Sequence, residues 1–326
     1  MHYRSVADLN AALFYNLDKL PEKIDLVVGV PRSGLLVANL ISLAINVPMA
    51  DLDGLLEGRI LSAGRTKRTS LFSTSVNEFR NILLVDDSIN GGRSMREAVN
   101  KIEASSLAGL VTTCAVYGLR PQQTGVDIVL EVVPQPRIFQ WNFLHHPILE
   151  QSCFDIDGVL CRDPAHGDND DGERYLAFLS SARPYLRPTR KLGHLVTSRL
   201  ERYRPQTEDW LAANHIQYEK LWMLDLASAE ERRKQKAHAP FKAKIYRETG
   251  ALLFIESEPW QAREIARDSG KPVLCIETQD IVMPDQYDLK TAWHGLMAAR
   301  SIRGRMGGSP RWKKAVKKLV RPIIGR

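Results

Sequence analysis

Apolar and polar positions in the first half of the chain follow a repeating order of strand, helix and strand. Four short β-branched runs predict buried strands, at 24–30, 80–85, 111–117 and 127–133. Amphipathic stretches at 35–45 and 94–104 predict helices between them. Because strands that alternate with helices form a parallel sheet with helices on its faces, the pattern predicts an α/β fold for this half.

A second alternating series begins after the turn-forming residues Pro134-Gln135-Pro136-Arg137. Its predicted strands and helices lie at 193–197, 205–214, 221–224, 240–249, 252–255, 259–269 and 272–276. The two halves share a fold class but no motif, so they are not an internal repeat. We therefore predict two domains, 1–148 and 149–299, each with a mostly parallel sheet flanked by helices, and a tail at 300–326.

Composition narrows the class of protein. The 326 residues are 44% hydrophobic and 25% charged, as in soluble globular proteins. No run of about 18 apolar residues predicts a membrane-spanning helix. The first residues lack the basic-then-apolar order of a secretory signal, so we expect the chain to stay in the cytoplasm. The four cysteines form no metal-type C-x-x-C pair, which favours reduced thiols.

The positive charge is confined to the tail. The net charge of +7 includes ten Lys and Arg residues and no acidic residue from Arg300 onward, and the preceding residues carry a net charge of −3. A uniformly basic nucleic-acid-binding domain is therefore excluded. Apolar side chains recur at helical spacing opposite the tail lysines, at Trp312, Val316, Leu319, Val320 and Ile323. Such a basic amphipathic helix suits an anionic membrane surface; a solvated tail or a nucleic-acid contact is the alternative.

The strand at 80–85 leads into the most informative segment of the first half. Asp86 and Asp87 follow it directly, where paired carboxylates can accept hydrogen bonds from the hydroxyls of a ribose. A loop of mostly small residues then leads into the helix, Asn90-Gly91-Gly92-Arg93-Ser94. The backbone N–H groups of this loop and the helix dipole would form a cradle for a phosphate monoester.

This run resembles the signature of type I phosphoribosyltransferases, which use phosphoribosyl pyrophosphate (PRPP) with Mg²⁺. The resemblance implies that Asp86 and Asp87 bind the ribose at the reaction centre. It also implies that the 5-phosphate is held by Asn90, Gly91, Gly92, Arg93 and Ser94. Gly91 stands where the family usually has threonine, so that side-chain hydroxyl contact is missing here.

Two further segments agree with the resemblance. Pro31-Arg32-Ser33 follows the first strand, where the family binds pyrophosphate with backbone amides and a basic residue. A basic loop stands where the family has a mobile loop that closes over PRPP, and it would contribute Arg65, Lys67 and Arg68. The acceptor is less defined: Trp141 could hold a sugar, and His145 or His146 could supply a base. Packing of this segment between the two domains is the simpler interpretation of both histidines.

The second half opens on two carboxylates just past an apolar strand, Asp155 and Asp157. The pattern resembles the haloacid dehalogenase (HAD) superfamily of Mg²⁺-dependent phosphatases. By resemblance, Asp155 is the nucleophile that becomes an aspartyl phosphate, and Asp157 is the general acid/base. The remaining roles implied are phosphate binding by Thr197, Ser198 and Lys242, with Lys244 as the competing lysine, and metal binding by Asp155, Asp157, Glu256 and Glu258. The short insert before Thr197 allows only a minimal cap.

The two modules make chemical sense together, and the chain resembles two-module ribofuranosyltransferases of bacterial surface-polysaccharide (O antigen) assembly. The resemblance implies transfer of 5-phosphoribose from PRPP to a hydroxyl of a lipid-linked glycan, and then removal of the 5-phosphate to leave a β-ribofuranosyl unit. It places the enzyme at the inner face of the cell membrane, with no specific nucleic-acid partner. The oligomeric state and the acceptor sugar stay open.

Two alternatives remain. One is a nucleobase phosphoribosyltransferase fused to a nucleotide phosphatase, although making a nucleotide and then dephosphorylating it would work against salvage. The other is a PRPP-sensing regulator without catalysis, which should show a DNA-reading module or eroded acids, and the sequence shows neither outside the tail.

Overall fold

The computed structural model describes residues 1–61, 75–165, 167–169 and 171–284. The predicted loop residues Arg65, Lys67 and Arg68 and the predicted tail at 300–326 lie outside this part of the chain. No helix within the described ranges is long and apolar enough to cross a membrane.

The first sheet has five parallel strands in the order β3-β2-β4-β5-β6. They are β2 (Leu26–Gly29), β3 (Met49–Asp51), β4 (Ile82–Ser88), β5 (Val111–Gly118) and β6 (Ile128–Val132). The helices around it are α1 (Val6–Phe14), α2 (Ser33–Ile45), α3 (Leu52–Leu56) and α4 (Arg93–Glu103). Every residue of β2 is buried, as expected for a strand covered on both faces.

The second sheet has six strands in the order β10-β9-β8-β11-β12-β13, all parallel except the last pair. They are β8 (Ser152–Phe154), β9 (Leu192–Leu200), β10 (Tyr218–Leu224), β11 (Leu253–Glu256), β12 (Val273–Cys275) and β13 (Asp280–Val282). Its helices are α5 (Glu173–Ser181), α6 (Arg204–Ala213), α7 (Ala229–Lys234), α8 (His238–Glu248) and α9 (Pro259–Ser269).

A short parallel pair of strands lies where the chain passes from one sheet to the other, β1 (His2–Arg4) with β7 (Arg137–Phe139). Tyr3 and Ile138 from this pair pack in the same apolar cluster as Phe154 of the second sheet. The connection between the sheets is therefore buried rather than a solvated linker. The predicted boundary at 148 falls in a short 3₁₀ helix, Pro147–Gln151.

The α/β class and the parallel sheets flanked by helices are confirmed. The strand predicted at 80–85 extends to Ser88, so Asp86 and Asp87 belong to β4 itself. The sequence analysis missed six elements of six residues or fewer, which are β1, β3, β7, β13, α3 and α7, and two nine-residue helices, α1 and α5. A pattern with a period of 3.6 residues, or of two, cannot be recognised over the few positions of the six short elements.

Two candidate active sites

The acids at the end of β4 lie in a network of donors from three distant segments. Asp87 is buried; its Oδ1 accepts a hydrogen bond from the Ser33 hydroxyl at 2.8 Å. Its Oδ2 accepts one from the indole Nε1 of Trp141 at 2.7 Å. The backbone N–H of Asp87 donates to Oδ1 of Asp86 at 2.9 Å. The structure thus brings together Ser33, Asp86 and Asp87, which the sequence assigned to PRPP binding from separate segments.

The two acids have no direct counter-charge in the part of the chain that the structure describes. Within the described ranges, neither Asp86 nor Asp87 forms an ion pair with a lysine or arginine side chain. Burial, followed by the charge of Asp87, raises the pKa of Asp86 to about 8. Two close carboxylates without a counter-charge lower the stability of the folded protein, and such pairs are typical of functional sites.

Asp86→Asn should therefore stabilise the fold, and most strongly at alkaline pH. Folding raises the pKa of Asp86 from 3.8 to about 8, so unfolding between these values releases a proton and the free energy of unfolding falls as pH rises. Asparagine keeps the acceptor for Asp87 and has no charge. We expect calorimetry to show a Tm about 3–6 °C higher for the variant than for the parent above pH 8, and nearly the same Tm for both near pH 4. Asp18→Asn, at an exposed site, is the control and should change Tm equally little at both values.

The loop at 31–33 reaches these acids because a glycine allows close approach. A Cβ atom at Gly34 would lie 2.6 Å from the carbonyl oxygen of Val85, which no side chain could tolerate without moving β4. The peptide bond between Pro31 and Arg32 is cis. Ser33 begins helix α2 here, with its hydroxyl directed at Asp87. The segment predicted for pyrophosphate therefore lies beside the segment predicted for ribose.

The loop at 90–94 opens helix α4, as predicted. Gly92 has a φ of 71° and precedes the first helical residue, Arg93. Two side chains hold the loop from behind: Arg96 Nη1 donates to the Gly91 carbonyl at 2.7 Å, and Gln123 Nε2 donates to the Asn90 carbonyl at 2.7 Å. These two bonds use carbonyl groups of the loop, whereas binding of an anion would use its amide groups.

An aromatic stack beside Asp87 was only partly anticipated from the sequence. Tyr117, Phe139 and Trp141 have nearly parallel rings whose centroids form a triangle, with Phe139 5.3 Å from Tyr117 and 4.9 Å from Trp141, and Tyr117 6.4 Å from Trp141. Behind Phe139, Arg137 is buried and donates to the Ile89 carbonyl at 2.7 Å. Trp141, the least buried of the three rings, is the one that contacts Asp87. A planar ligand or a sugar bound next to the two acids would therefore contact the edge of the Trp141 indole.

The two histidines of the connecting segment have local partners. His145 Nδ1 lies 2.8 Å from the hydroxyl of Thr189, and His146 Nδ1 accepts the backbone N–H of Ile148 at 3.1 Å. Burial and the charge of Arg190 lower the pKa of His146. These contacts favour the packing interpretation over a role as the acceptor base.

The second candidate site forms at the ends of β8 and β11, where Asp155 and Glu256 lie on either side of a buried lysine. Lys242 Nζ donates to Asp155 Oδ2 at 2.6 Å, to Glu256 Oε2 at 2.8 Å and to Gln261 Oε1 at 3.0 Å. Burial would lower the pKa of Lys242, but the two carboxylates outweigh it and raise the pKa. Lys244, the competing lysine, is exposed on the other side of α8.

Asp157 is held by an arginine whose role the sequence analysis did not predict. Arg199 is fully buried and binds the carboxylate through Nη2 at 2.6 Å and Nε at 3.1 Å. Burial would raise the pKa of Asp157, but the Arg199 guanidinium outweighs it and lowers the pKa, so this carboxylate is ionised. The signal in the sequence was an arginine directly after Thr197 and Ser198, just past the strand predicted at 193–197, and the structure places it inside β9.

A glycine shapes the turn between the two aspartates and the rest of the site. Gly158 has a φ of +75°, and a Cβ there would lie 2.3 Å from the Ser257 hydroxyl. Both the conformation and the contact require glycine, because an L side chain would be strained and would collide. This close approach brings β11 and its acids against the segment that carries Asp157.

The predicted metal ligands divide into two groups. Both oxygens of Glu256 are used by protein donors: Lys242 on one, and the Ser257 backbone N–H at 2.9 Å on the other. Asp155, Asp157 and Glu258 line a shared cavity, together with Asp163. Burial, followed by the charges of Asp157 and Glu258, raises the pKa of Asp163 to about 6.

The cavity acids fit a magnesium ion by donor chemistry. Mg²⁺ takes hard oxygen ligands, and Asp155, Asp157, Asp163 and Glu258 supply carboxylate oxygens at this cavity, with Asp155 also bound to Lys242 and Asp157 to Arg199. Among the described residues, no three His, Cys, Asp or Glu side chains are already drawn together as around an ion. The assignment of the metal therefore stays a prediction, with Glu256 serving as an anchor for Lys242.

Two cavities of similar volume can be compared. One, of about 310 Å³, lies in the first half of the chain, and none of the described residues that line it is a predicted site residue. The other, of about 300 Å³, lies at the second acid site and is lined by several of them. Thr197 and Ser198 line the second cavity, as do Arg232 and His238, which sequence reasoning missed. Arg232 and His238 come from helices α7 and α8, whose approach to the site depends on tertiary packing.

Comparison with known proteins identifies the first half. Residues 2–145 match the family described as the phosphoribosyl transferase domain. This range contains β1 to β7 and every described residue assigned above to PRPP, and it ends before β8. The first domain is thus of the phosphoribosyltransferase type. No curated protein matches the chain significantly.

Three solved structures illustrate the likeness to known folds. Helicobacter pylori xanthine-guanine-hypoxanthine phosphoribosyltransferase is 14% identical, with 43% of this chain and 91% of that chain covered and a TM-score of 0.29. A purine phosphoribosyltransferase from Pyrococcus horikoshii is 16% identical, with 43% and 92% covered and a TM-score of 0.29. A hypothetical Neisseria gonorrhoeae protein with bound ppGpp is 12% identical, with 43% and 89% covered and a TM-score of 0.32.

Proposed function

We propose that the chain is a bifunctional ribofuranosyltransferase. It transfers 5-phosphoribose from PRPP to a glycan hydroxyl with release of pyrophosphate, and its second site then removes the 5-phosphate. The observation that carries the proposal is the presence of two acid sites of different design in one chain: an uncompensated carboxylate pair beside a phosphate cradle, and a carboxylate paired with a buried lysine. The product of the first chemistry is the substrate of the second.

In the first step, the C1–pyrophosphate bond breaks, the bond from C1 to the acceptor oxygen forms, and the proton of the acceptor hydroxyl passes to the departing pyrophosphate. Mg²⁺ bound with the pyrophosphate supplies charge that stabilises this leaving group. Asp86 and Asp87 bind the ribose hydroxyls and stabilise the positive charge that develops at C1. Ser33 and Trp141 hold Asp87 in place, so the carboxylate does not reorganise during the reaction.

In the second step, Asp155 attacks phosphorus, the bond to the ribose 5-oxygen breaks, and that oxygen takes a proton from Asp157. Water then attacks the aspartyl phosphate, and Asp157 accepts the proton of the water as the Asp155–phosphorus bond breaks. The ionised Asp157 bound to Arg199 is in the state required for this second half, and it must take up a proton from water before it acts as the acid in the first half. Lys242 positions the attacking carboxylate, and Mg²⁺ among the cavity acids would supply positive charge at the phosphoryl oxygens.

Incubation of the full chain with PRPP, Mg²⁺ and a synthetic glycan acceptor tests the proposal, with products identified by mass spectrometry. A ribosylated glycan without phosphate is expected. A parallel incubation with nucleobases tests the alternative, in which nucleotides or nucleosides form instead. Binding of PRPP with no product from either acceptor would support a regulator.

The proposed acceptor is lipid-linked, and the enzyme is proposed to act in the cytoplasm at the inner face of the membrane. The basic amphipathic sequence of the tail supports this placement. Each lysine near an anionic surface contributes about 1 kcal/mol, and the attraction is screened by salt. Deleting 310–326 should release the protein from anionic liposomes in a sedimentation assay, and should leave turnover of a soluble acceptor nearly intact.

High salt should reproduce part of the effect of this deletion, and liposomes of neutral lipid are the control. Equal sedimentation of the truncated and full chains would contradict a membrane role. A collapse of turnover on the soluble acceptor would instead make the tail part of a site.

A further inference from the structure

The cavity of the second site contains two buried polar atoms without a hydrogen-bond partner among the described residues. They are the hydroxyl of Ser198 and the Nε of Arg232. The two side chains are 7% and 6% exposed, and both line the cavity that contains Asp155. A buried donor left unsatisfied costs about 1–3 kcal/mol, so such a pair in a cavity indicates a missing ligand.

The lysine assigned to phosphate has no donor left for a substrate. An ammonium group has three N–H donors, and Lys242 directs its Nζ at three acceptors, on Asp155, Glu256 and Gln261. A phosphoryl group entering beside Asp155 therefore has to find its hydrogen-bond donors elsewhere in the cavity.

Arg232 carries a positive charge that is fixed in place and not neutralised by a described acid. Its Nη1 donates to the backbone carbonyl of Ser198 at 2.7 Å, which locks the guanidinium against the strand that carries Thr197 and Ser198. The neighbouring His238 adds no charge, since burial, Arg232 and Lys242 lower its pKa to about 4. A guanidinium presents donors in a planar fork that suits phosphate oxygens.

We propose that Arg232, with the Ser198 hydroxyl, binds the phosphoryl oxygens of a phosphate monoester in this cavity, in the place that Lys242 cannot fill. Arg232 contributes the charge and geometry that select a dianionic phosphate, and Lys242 positions the nucleophile. This inference rests on the phosphatase activity proposed for the second site.

Arg232→Gln in the full chain tests the assignment, with Arg232→Lys and the exposed neighbour Arg233→Gln as matched variants. Inorganic phosphate is the probe, measured by calorimetry and as a competitive inhibitor of hydrolysis of ribose 5-phosphate with Mg²⁺. Arg232→Gln should weaken phosphate binding and raise KM by about 10–100-fold, because a charge-assisted hydrogen bond is lost. Arg232→Lys should recover part of the binding, and Arg233→Gln should match the parent.

Ser198→Ala covers the case in which loss of the buried guanidinium unfolds the protein. Its hydroxyl has no partner among the described residues, so removal should leave Tm unchanged and weaken phosphate binding by about 3–10-fold. Unchanged phosphate binding in a folded Arg232→Gln variant, or in Ser198→Ala if the former does not fold, would overturn the inference. Asp155→Asn distinguishes failure of the proposed function from failure of the Arg232 assignment. Retained hydrolysis in that variant contradicts the proposed phosphatase function, whereas calorimetry of phosphate binding still tests the role of Arg232.

Discussion

Asp155→Asn is expected to stop the chain after its first step, so that the glycan product keeps one phosphate. Lys242 holds the carboxylate of Asp155 at the cavity, where it is proposed to attack phosphorus, and an amide is a far weaker nucleophile. Loss of a nucleophile costs more than about 1,000-fold in kcat. Mass spectrometry of the acceptor should show a species heavier than the normal product by one phosphate.

The matched control is Asp209→Asn, an exposed aspartate on α6 of the same half of the chain. It should give the fully dephosphorylated product at the parent rate. The substitution at Asp155 also removes one of the two carboxylates that neutralise Lys242, so thermal unfolding must be measured alongside. A folded Asp155→Asn variant that yields no product at all would contradict independent sites.

The double substitution of Asp86 and Asp87 by asparagine should have the opposite effect. Transfer should fall by more than about 100-fold, because the carboxyl groups that bind the ribose hydroxyls and stabilise the developing cation at C1 are replaced by neutral amides. Hydrolysis of a small phosphate ester such as ribose 5-phosphate at the second site should continue at the parent rate. Transfer is measured as pyrophosphate released from PRPP in the presence of acceptor.

The stability expected of Asp86→Asn bears on whether a loss of transfer in the double variant reflects the site or the fold. Because the uncompensated Asp86 charge opposes folding at alkaline pH, its removal gives a protein that is at least as stable. Asp87→Asn also replaces an oxygen that accepts from Ser33 or Trp141 by an amide nitrogen, so thermal unfolding of the double variant is measured alongside transfer. Undiminished ribosylation by the double variant would contradict the assignment of PRPP to this site, and Asp18→Asn is again the control.

Strands, helices and the order of motifs could be predicted because they depend on local sequence. The apolar run before Asp86 and the small residues after it are read from neighbouring positions. The α8 pattern could also have separated the lysines, since Lys242 shares the buried face with Ala239 and Tyr246, and Lys244 does not.

The partners of the acids could not be predicted, because they come from segments brought together only by packing. Trp141 lies 54 positions after Asp87, and Lys242 lies 87 positions after Asp155. Likewise, the bidentate contact of Arg199 with Asp157 depends on the pairing of β8 with β9. Sequence periodicity indicates which side chains are buried, whereas the geometry of the sheets determines which of them meet.

The most direct test is to follow one acceptor through both steps in one reaction. The full chain is incubated with Mg²⁺, PRPP labelled in its ribose, a synthetic glycan and a mixture of nucleobases, and the products are analysed over time by mass spectrometry. We predict a phosphoribosyl glycan that appears first and is converted into a ribosyl glycan, with pyrophosphate and then phosphate released in equal amounts. Label that enters nucleobases but never the glycan, or a phosphoribosyl product that the parent chain never dephosphorylates, would contradict a bifunctional ribofuranosyltransferase.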